Sequence, residues 1–248
     1  MAQIKTTLID HMGSDLSVVR SARVSYYKNS EALDWGWYEY PDGSASGDYI
    51  AVLDNRDKKL IHFLAKNQHY SPFNHTNITF HVKAPIFVAR QLVKHEYLPW
   101  NEVSRRYVND NIEFYDPDVW RGRSKDKKQG SEGVVDLSAI NHKGEDFNGD
   151  FGEWTLQERL YGKASDDLEL YDTLIKAGVA PEQARMVLPQ SLMTEWYWSG
   201  TLKAFHKMCR LRCASDTQYE SRIVADQISK VMGELFPVSW TALMESDE

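Results

Sequence analysis

The densest group of chemically capable side chains lies between residues 90 and 106: Arg90, Gln91, Lys94, His95, Glu96, Asn101, Glu102, Ser104, Arg105 and Arg106. Forked arginine donors, a hydroxyl and amides are what a phosphate or a planar carbonyl edge requires. A second basic group is more dispersed, with Arg185 in PEQARMVLP and Arg210 and Arg212 in CRLRCASD. From residue types alone the first cluster also reads as a solvated helix end, with Lys94 or Arg106 paired to Glu102. A third feature is histidine-rich: His62, His69, His75 and His81 fall within twenty residues. The chain has no HExxH, no His-x-His and no paired-cysteine ligand motif, so a metal site is not expected. His69, just before Ser71-Pro72-Phe73, sits in a turn from which it can approach a ligand.

The elements that must position these residues follow from periodicity. Apolar residues recur at helical spacing over 14–24 and 58–66. Residues 76–83 alternate Ile78, Phe80 and Val82 with Thr79, His81 and Lys83, the mark of a strand with one buried face. Pro85 is expected as the first residue of a helix running through PIFVARQLVKHEY and ended by Pro99. Further helices are expected over 154–177 with Gly178 as stop, then at PEQARMVL, 202–212 and 216–235, with a strand at 192–198. These readings give an α+β fold. Residues 27–57 and 120–152 are polar or Gly-rich and read as insertions, the first with room for a short hairpin, within a single domain 1–248.

Composition limits the function. The chain has 248 residues and a net charge of −7, so a general nucleic-acid binder, which needs a basic excess, is not expected. Any anionic ligand must be held by a local cluster of cations rather than by a global field. Two cysteines, Cys209 and Cys213, make no disulfide framework. No signal-peptide pattern and no span of roughly 20 apolar residues is present, so the expectation is a cytoplasmic protein away from the membrane. There is no GxGxxG after a strand and no Walker loop, which argues against a Rossmann or P-loop nucleotide site.

In order, these segments resemble the flavin-dependent thymidylate synthase family. MGSDLSVVRSARVSY resembles its opening motif, and HYSPFNH with FHVKAPIFVARQ resembles the approach to its signature. That signature, Arg-His-Arg, seven residues and Ser, reads here Lys94-His95-Glu96, YLPWNEV, Ser104, followed by Arg105, Arg106 and Tyr107. ARMVLP around Arg185 and LRCASDTQYE around Arg212 resemble two later blocks. The resemblance implies a twisted, mostly antiparallel sheet with packed helices, and a homotetramer with shared active sites. It also implies reductive methylation of dUMP to dTMP. NADPH reduces FAD, methylenetetrahydrofolate gives the carbon, and no enzyme cysteine attacks the uracil.

By position, the resemblance assigns Gln91, Lys94, Glu102, Ser104, Arg105, Arg106, Arg185 and Arg212 to dUMP. It assigns Ser71, Lys94, His95, Glu96, Glu102, Thr201, Lys203 and Lys207 to FAD, with Arg212 and His69 as the catalytic pair. Within the signature two positions depart from the pattern: Lys94 keeps the charge but loses the fork, and Glu96 reverses the charge; in the later helix Thr201, Lys203 and Lys207 stand where Asn, Arg and Asn or His are commoner in the family. Lys203 and Lys207 are expected to restore what Glu96 removes. Two other readings remain at this point. One is a flavin- or nucleotide-binding homologue that has lost turnover through Lys94 and Glu96. The other is a metal-dependent hydrolase built on His69, His75 and His81.

Overall fold

The computed structural model describes residues 2–26, 34–36, 50–108, 111–125, 130–145 and 151–246. In chain order the elements are β1 (Lys5–Met12), α1 (Asp15–Arg23), β2 (Asp34–Gly36), β3 (Ile50–Val52), α2 (Asn55–Lys66), β4 (Asn77–Pro85), α3 (Ile86–Leu92), β5 (Trp100–Glu102), β6 (Arg121–Arg123), β7 (Ser131–Val134), β8 (Asn141–Glu145), β9 (Phe151–Thr155), α4 (Leu156–Lys176), α5 (Pro181–Ala184), β10 (Met193–Gly200), α6 (Leu202–Arg212), α7 (Tyr219–Leu235) and α8 (Pro237–Glu245). The fold is α+β.

The central sheet has four strands in the order β1-β4-β10-β5, every neighbour antiparallel. Its register sets which side chains share a face. Trp196 lies opposite both Val82 and Glu102, and Trp198 lies opposite both Phe80 and Trp100. Phe80, Val82, Trp196 and Trp198 are buried, so this face carries the core. The alternate residues His81, Glu195 and Tyr197 lie on the other side. There His81 pairs with Glu195 at 2.9 Å, and Lys83 bonds Glu113.

Helices α6 and α7 pack on each other, and α7 reaches β1 and β4. Most of the buried apolar residues form one contiguous cluster that also includes α1, α2 and α8. The two ends of the chain are tied by buried Asp15. Its carboxylate accepts the Val238 and Ser239 N–H groups at 2.9 and 2.8 Å, which satisfies the orphan donors at the start of α8.

Several boundaries differ from the periodicity reading, each for a local reason. Pro85 is not the first helical residue; it closes β4 in extended geometry and caps α3, which begins at Ile86. That helix stops at Leu92, five residues before Tyr97, because the chain must reverse to pair β5 with β10. Tyr97 takes up the reversal at φ +62, uncommon for a residue with a side chain. The turn closes over Gly200 at the end of β10, where an added Cβ would stand 2.3 Å from Leu98 Cδ2.

PEQARMVL is one short turn of helix followed by a 3₁₀ turn at Arg185–Val187. The helix expected from 216 begins at Tyr219. Within 27–57, β2 and β3 pair antiparallel over three residues each, α2 begins at Asn55, and residues 27–33 and 37–49, with the connection a hairpin would need, lie outside the described residues. The 120–152 segment is more than irregular surface: β6 pairs with β7, and β8 with β9. Gly178, at φ +85, stands just beyond α4 as expected.

Candidate active site

The site is organised by α6, whose 11 residues span about 16 Å. Thr201 caps its start, its hydroxyl accepting the Ala204 N–H at 3.2 Å and donating to Asn74 Oδ1 at 2.8 Å. This joins α6 to the turn that follows His69. Lys203 Nζ lies 3.3 Å from the centre of the Tyr70 ring and 3.0 Å from His206 Nδ1. His69 packs edge-on against Phe63 at 6.0 Å. Together with Ser71 it lines a cleft of about 450 Å³ between the end of α1, α2 and the turn. That volume is in the range of small-molecule sites.

Half-way along α6, Lys207 donates to Glu96 at 3.1 Å. The expectation that a lysine of this helix offsets Glu96 therefore has a direct contact behind it. Both side chains are mostly exposed, 62% and 69%, so the pair adds little to stability.

At the end of α6, Arg212 Nε donates to His95 Nε2 at 3.0 Å. The imidazole stands edge-on to Trp198 at 6.4 Å. Burial, with Arg212 and then Lys207 nearby, pulls the His95 pKa down from 6.5 to about 4. His95 is therefore neutral, and its proton sits on Nδ1, since Nε2 must accept. Burial also lowers the Arg212 pKa. Among the described residues Arg212 has no carboxylate partner.

A stability consequence follows from His95. Between pH about 6.5 and about 4 the unfolded imidazole takes up a proton that the folded one refuses. Folding stability should fall as pH drops through this window. Urea titrations of wild type and His95→Gln should show that part of the fall is missing in the variant. Identical slopes in the two proteins would contradict it.

Glu102 is held from two sides: Thr194 Oγ1 donates to Oε1 at 2.7 Å, and Trp100 Nε1 to Oε2 at 3.0 Å. Neither Lys94 nor Arg106 pairs with it, so the simple charge-pair reading of this segment fails for Glu102. Both carboxylate oxygens keep lone pairs for an N–H or O–H donor. Gln91 on α3 accepts from the Ser221 hydroxyl on α7 through Oε1, leaving its amide N–H₂ for a ligand.

Ser104, Arg105 and Arg106 follow β5 in a tight turn. Ser104 Oγ accepts the Arg106 N–H at 3.3 Å, and Arg105 reaches the Val108 carbonyl at 3.4 Å. Lys94 is exposed beside the end of α3.

The structure thus gathers Thr201, Lys203, Ser71 and His69 at one end of α6, and His95, Glu96, Lys207 and Arg212 along the rest. Gln91, Glu102 and the 104–106 turn come from α3 and the sheet edge. Arg185 is not brought to them. It lies exposed in its 3₁₀ turn, Nε donating to the Glu182 carbonyl at 3.3 Å. Sequence reading missed the residues that orient the candidates: Thr194, Trp100, Trp198 and Ser221. The alternation of Trp196 and Trp198 in the expected strand was the one local signal for Trp198.

The histidines do not support the hydrolase reading. His81 pairs with Glu195 and His69 meets Phe63. Among the described residues no three His, Cys, Asp or Glu side chains are placed to hold a metal ion. No helix among them is long and apolar enough to cross a membrane.

Comparison with known proteins gives a consistent set of matches. The family model described as "Thymidylate synthase complementing protein" matches residues 7–238. A flavin-dependent thymidylate synthase of Thermus thermophilus is 35% identical over 241 residues, covering 96% of this chain and 74% of the relative. One from Thermosipho melanesiensis is 35% identical over 234 residues, covering 94% and 86%. Among solved structures, the UMP/dUMP methylase PolB from Streptomyces cacaoi bound with 5-Br dUMP is similar at TM-score 0.69 and 29% identity, covering 97% of this chain and 94% of that one.

Proposed function

We infer that this chain, which belongs to the flavin-dependent thymidylate synthase family, methylates dUMP to dTMP, with methylenetetrahydrofolate as carbon donor and NADPH as reductant of FAD. The observation that carries the reading is Arg212. It is a fixed guanidinium with no carboxylate among the described residues to neutralise it, on the helix whose lysines face the 70–96 segments.

The residues present fit FAD. Lys203 and Lys207, one helical turn apart, with the Thr201 and Ser71 hydroxyls, supply cations and donors of the kind a diphosphate needs. FAD, when bound, carries hydride from the pyridine nucleotide to the one-carbon unit on the uracil. The chain's own residues bind and orient. Ser104 and Arg106 hold the dUMP phosphate, with Arg105 and Lys94 adding charge nearby. Gln91 and Glu102 meet the ribose and ring, and Arg212 lies along the N3 edge. Positive charge at that edge favours electron density on the ring and makes C5 a better nucleophile. His69, in the cleft with Ser71, faces the flavin and folate side. Neither cysteine is needed: Cys209 is buried, and burial pushes its thiol pKa well up.

Arg185 stands apart from the rest within one chain, which supports a homotetramer whose sites take residues from more than one copy. We read each copy as a single domain working in the cytoplasm.

Glu96 and Lys207 supply a prediction. Glu96→Arg removes a carboxylate from the lysine and should tighten FAD about fivefold, with folding stability changed by about 1 kcal/mol or less. A fluorescence titration giving an unchanged dissociation constant would remove Glu96 and Lys207 from the flavin site.

The reaction itself is tested by tritium release from [5-3H]dUMP with methylenetetrahydrofolate, NADPH and FAD. Release is expected, and none should occur without the folate. A yellow protein that NADPH cannot bleach in the presence of dUMP, and that releases no tritium, would instead be the non-turning-over homologue.

A further inference from the structure

Most buried or half-buried arginines are held by carboxylates, and two in this chain are: Arg23 by Asp57 and Arg121 by Glu220. Arg212 is held by an imidazole. The difference matters for a ligand. A carboxylate would orient the guanidinium but cancel its charge, and would compete for the same N–H edges. A neutral imidazole acceptor takes one N–H and leaves the charge intact.

His95 suits this task because it is itself fixed. Its ring meets Trp198, which is fully buried and packed edge-on against Trp100 at 5.6 Å and Phe205 at 5.8 Å. The charged groups around it come from two elements: Arg212 and Lys207 on α6, and Lys94 and Glu96 beside it in its own turn. With Nε2 engaged by Nε, the two terminal nitrogens of Arg212 form no other hydrogen bond among the described residues.

We propose that His95 is a positioning residue for Arg212: its Nε2 accepts from Arg212 Nε and thereby aims the terminal N–H₂ pair, still fully charged, at the pyrimidine edge of the bound nucleotide. This rests on the reading of the site as a dUMP site, and it gives His95 a role toward the nucleotide as well as any contact it makes with flavin. An acceptor that is uncharged is the requirement, so glutamine should replace histidine and alanine should not.

The test is equilibrium binding of dUMP to the FAD-loaded protein, for wild type, His95→Ala, His95→Gln, Arg212→Ala and the double variant His95→Ala/Arg212→Ala. Loss of a hydrogen bond to a charged group predicts about tenfold or more weaker dUMP binding in His95→Ala. His95→Gln should stay within about threefold of wild type. His95→Ala should cost nothing further when Arg212 is already alanine, since the two act as one unit.

His95 stays neutral in the folded protein until the pH nears 4, so lowering the pH through about 4 protonates the acceptor only in wild type. The ratio of wild-type to His95→Gln dissociation constants should therefore rise; the phosphate of dUMP titrates identically in both and cancels. Additive losses in the double variant, or a pH-independent ratio, would overturn the proposal, and the second result needs only the glutamine protein. If Arg212→Ala bound dUMP as wild type does, the dUMP site itself would be misassigned. If Arg212→Ala weakened binding and His95→Ala did not, only the positioning role would fall.

Discussion

Arg212→Ala should lower the rate of tritium release from [5-3H]dUMP by about 10²–10³-fold, the usual cost of removing one preorganised donor from developing charge. Arg212 closes α6 and among the described residues makes one side-chain hydrogen bond, to His95, so its loss leaves the core untouched. The thermal midpoint should stay within a few degrees of wild type. Arg212→Lys keeps a charge but loses the fork and the Nε donor, and should recover only part of the rate. A variant within a few fold of wild type at saturating dUMP would show that the guanidinium is not beside the reacting ring.

Trp198→Ala should have the largest effect on stability, about 3–5 kcal/mol. The ring is fully buried on β10, and its neighbours Trp100, Trp196 and Phe205 are themselves large and locked. A cavity of that size in a region of stacked indoles cannot close by small shifts. Trp196 and Trp100, stacked at 4.2 Å, would have to separate to fill it. Urea unfolding followed by circular dichroism measures the loss, and a change under about 1 kcal/mol would contradict the packing described. Because Trp198 also backs His95, the variant at temperatures where it remains folded should bind dUMP less tightly than wild type.

How much of this was legible in the sequence depended on whether the determinant was local. The strand at Asn77–Pro85 was readable because apolar residues alternate cleanly over one buried face. The first strand, Lys5–Met12, was not. Leu8 and Ile9 are adjacent, most of the strand is exposed, and a bulge between Leu8 and Asp10 shifts the pattern by one residue. The last helix was missed because its buried face mixes Ser239 with Trp240, Ala242 and Leu243, so apolar residues alone draw no clean stripe.

The break after Leu92 is tertiary. Local propensity would carry the helix on, and the pairing of β5 with β10 stops it. The same division holds at the site. Residue types and spacing placed Gln91, His95, Glu102 and Ser104 in one segment, and family resemblance added Arg212. Nothing local could bring His95 to Arg212 across 117 positions, or Thr194 to Glu102 across 92. Those contacts exist because β10 lies between β4 and β5 and leads directly into α6.

The most direct measurement is a crystal structure of the protein with FAD and dUMP both soaked in. Uridine nucleotide should lie against the isoalloxazine, its phosphate on Ser104 and Arg106 and its N3 edge on Arg212, with Arg185 arriving from another copy of the chain. Arg106, Arg185 and Arg212 far apart in the whole assembly, with no nucleotide among them, would contradict the account.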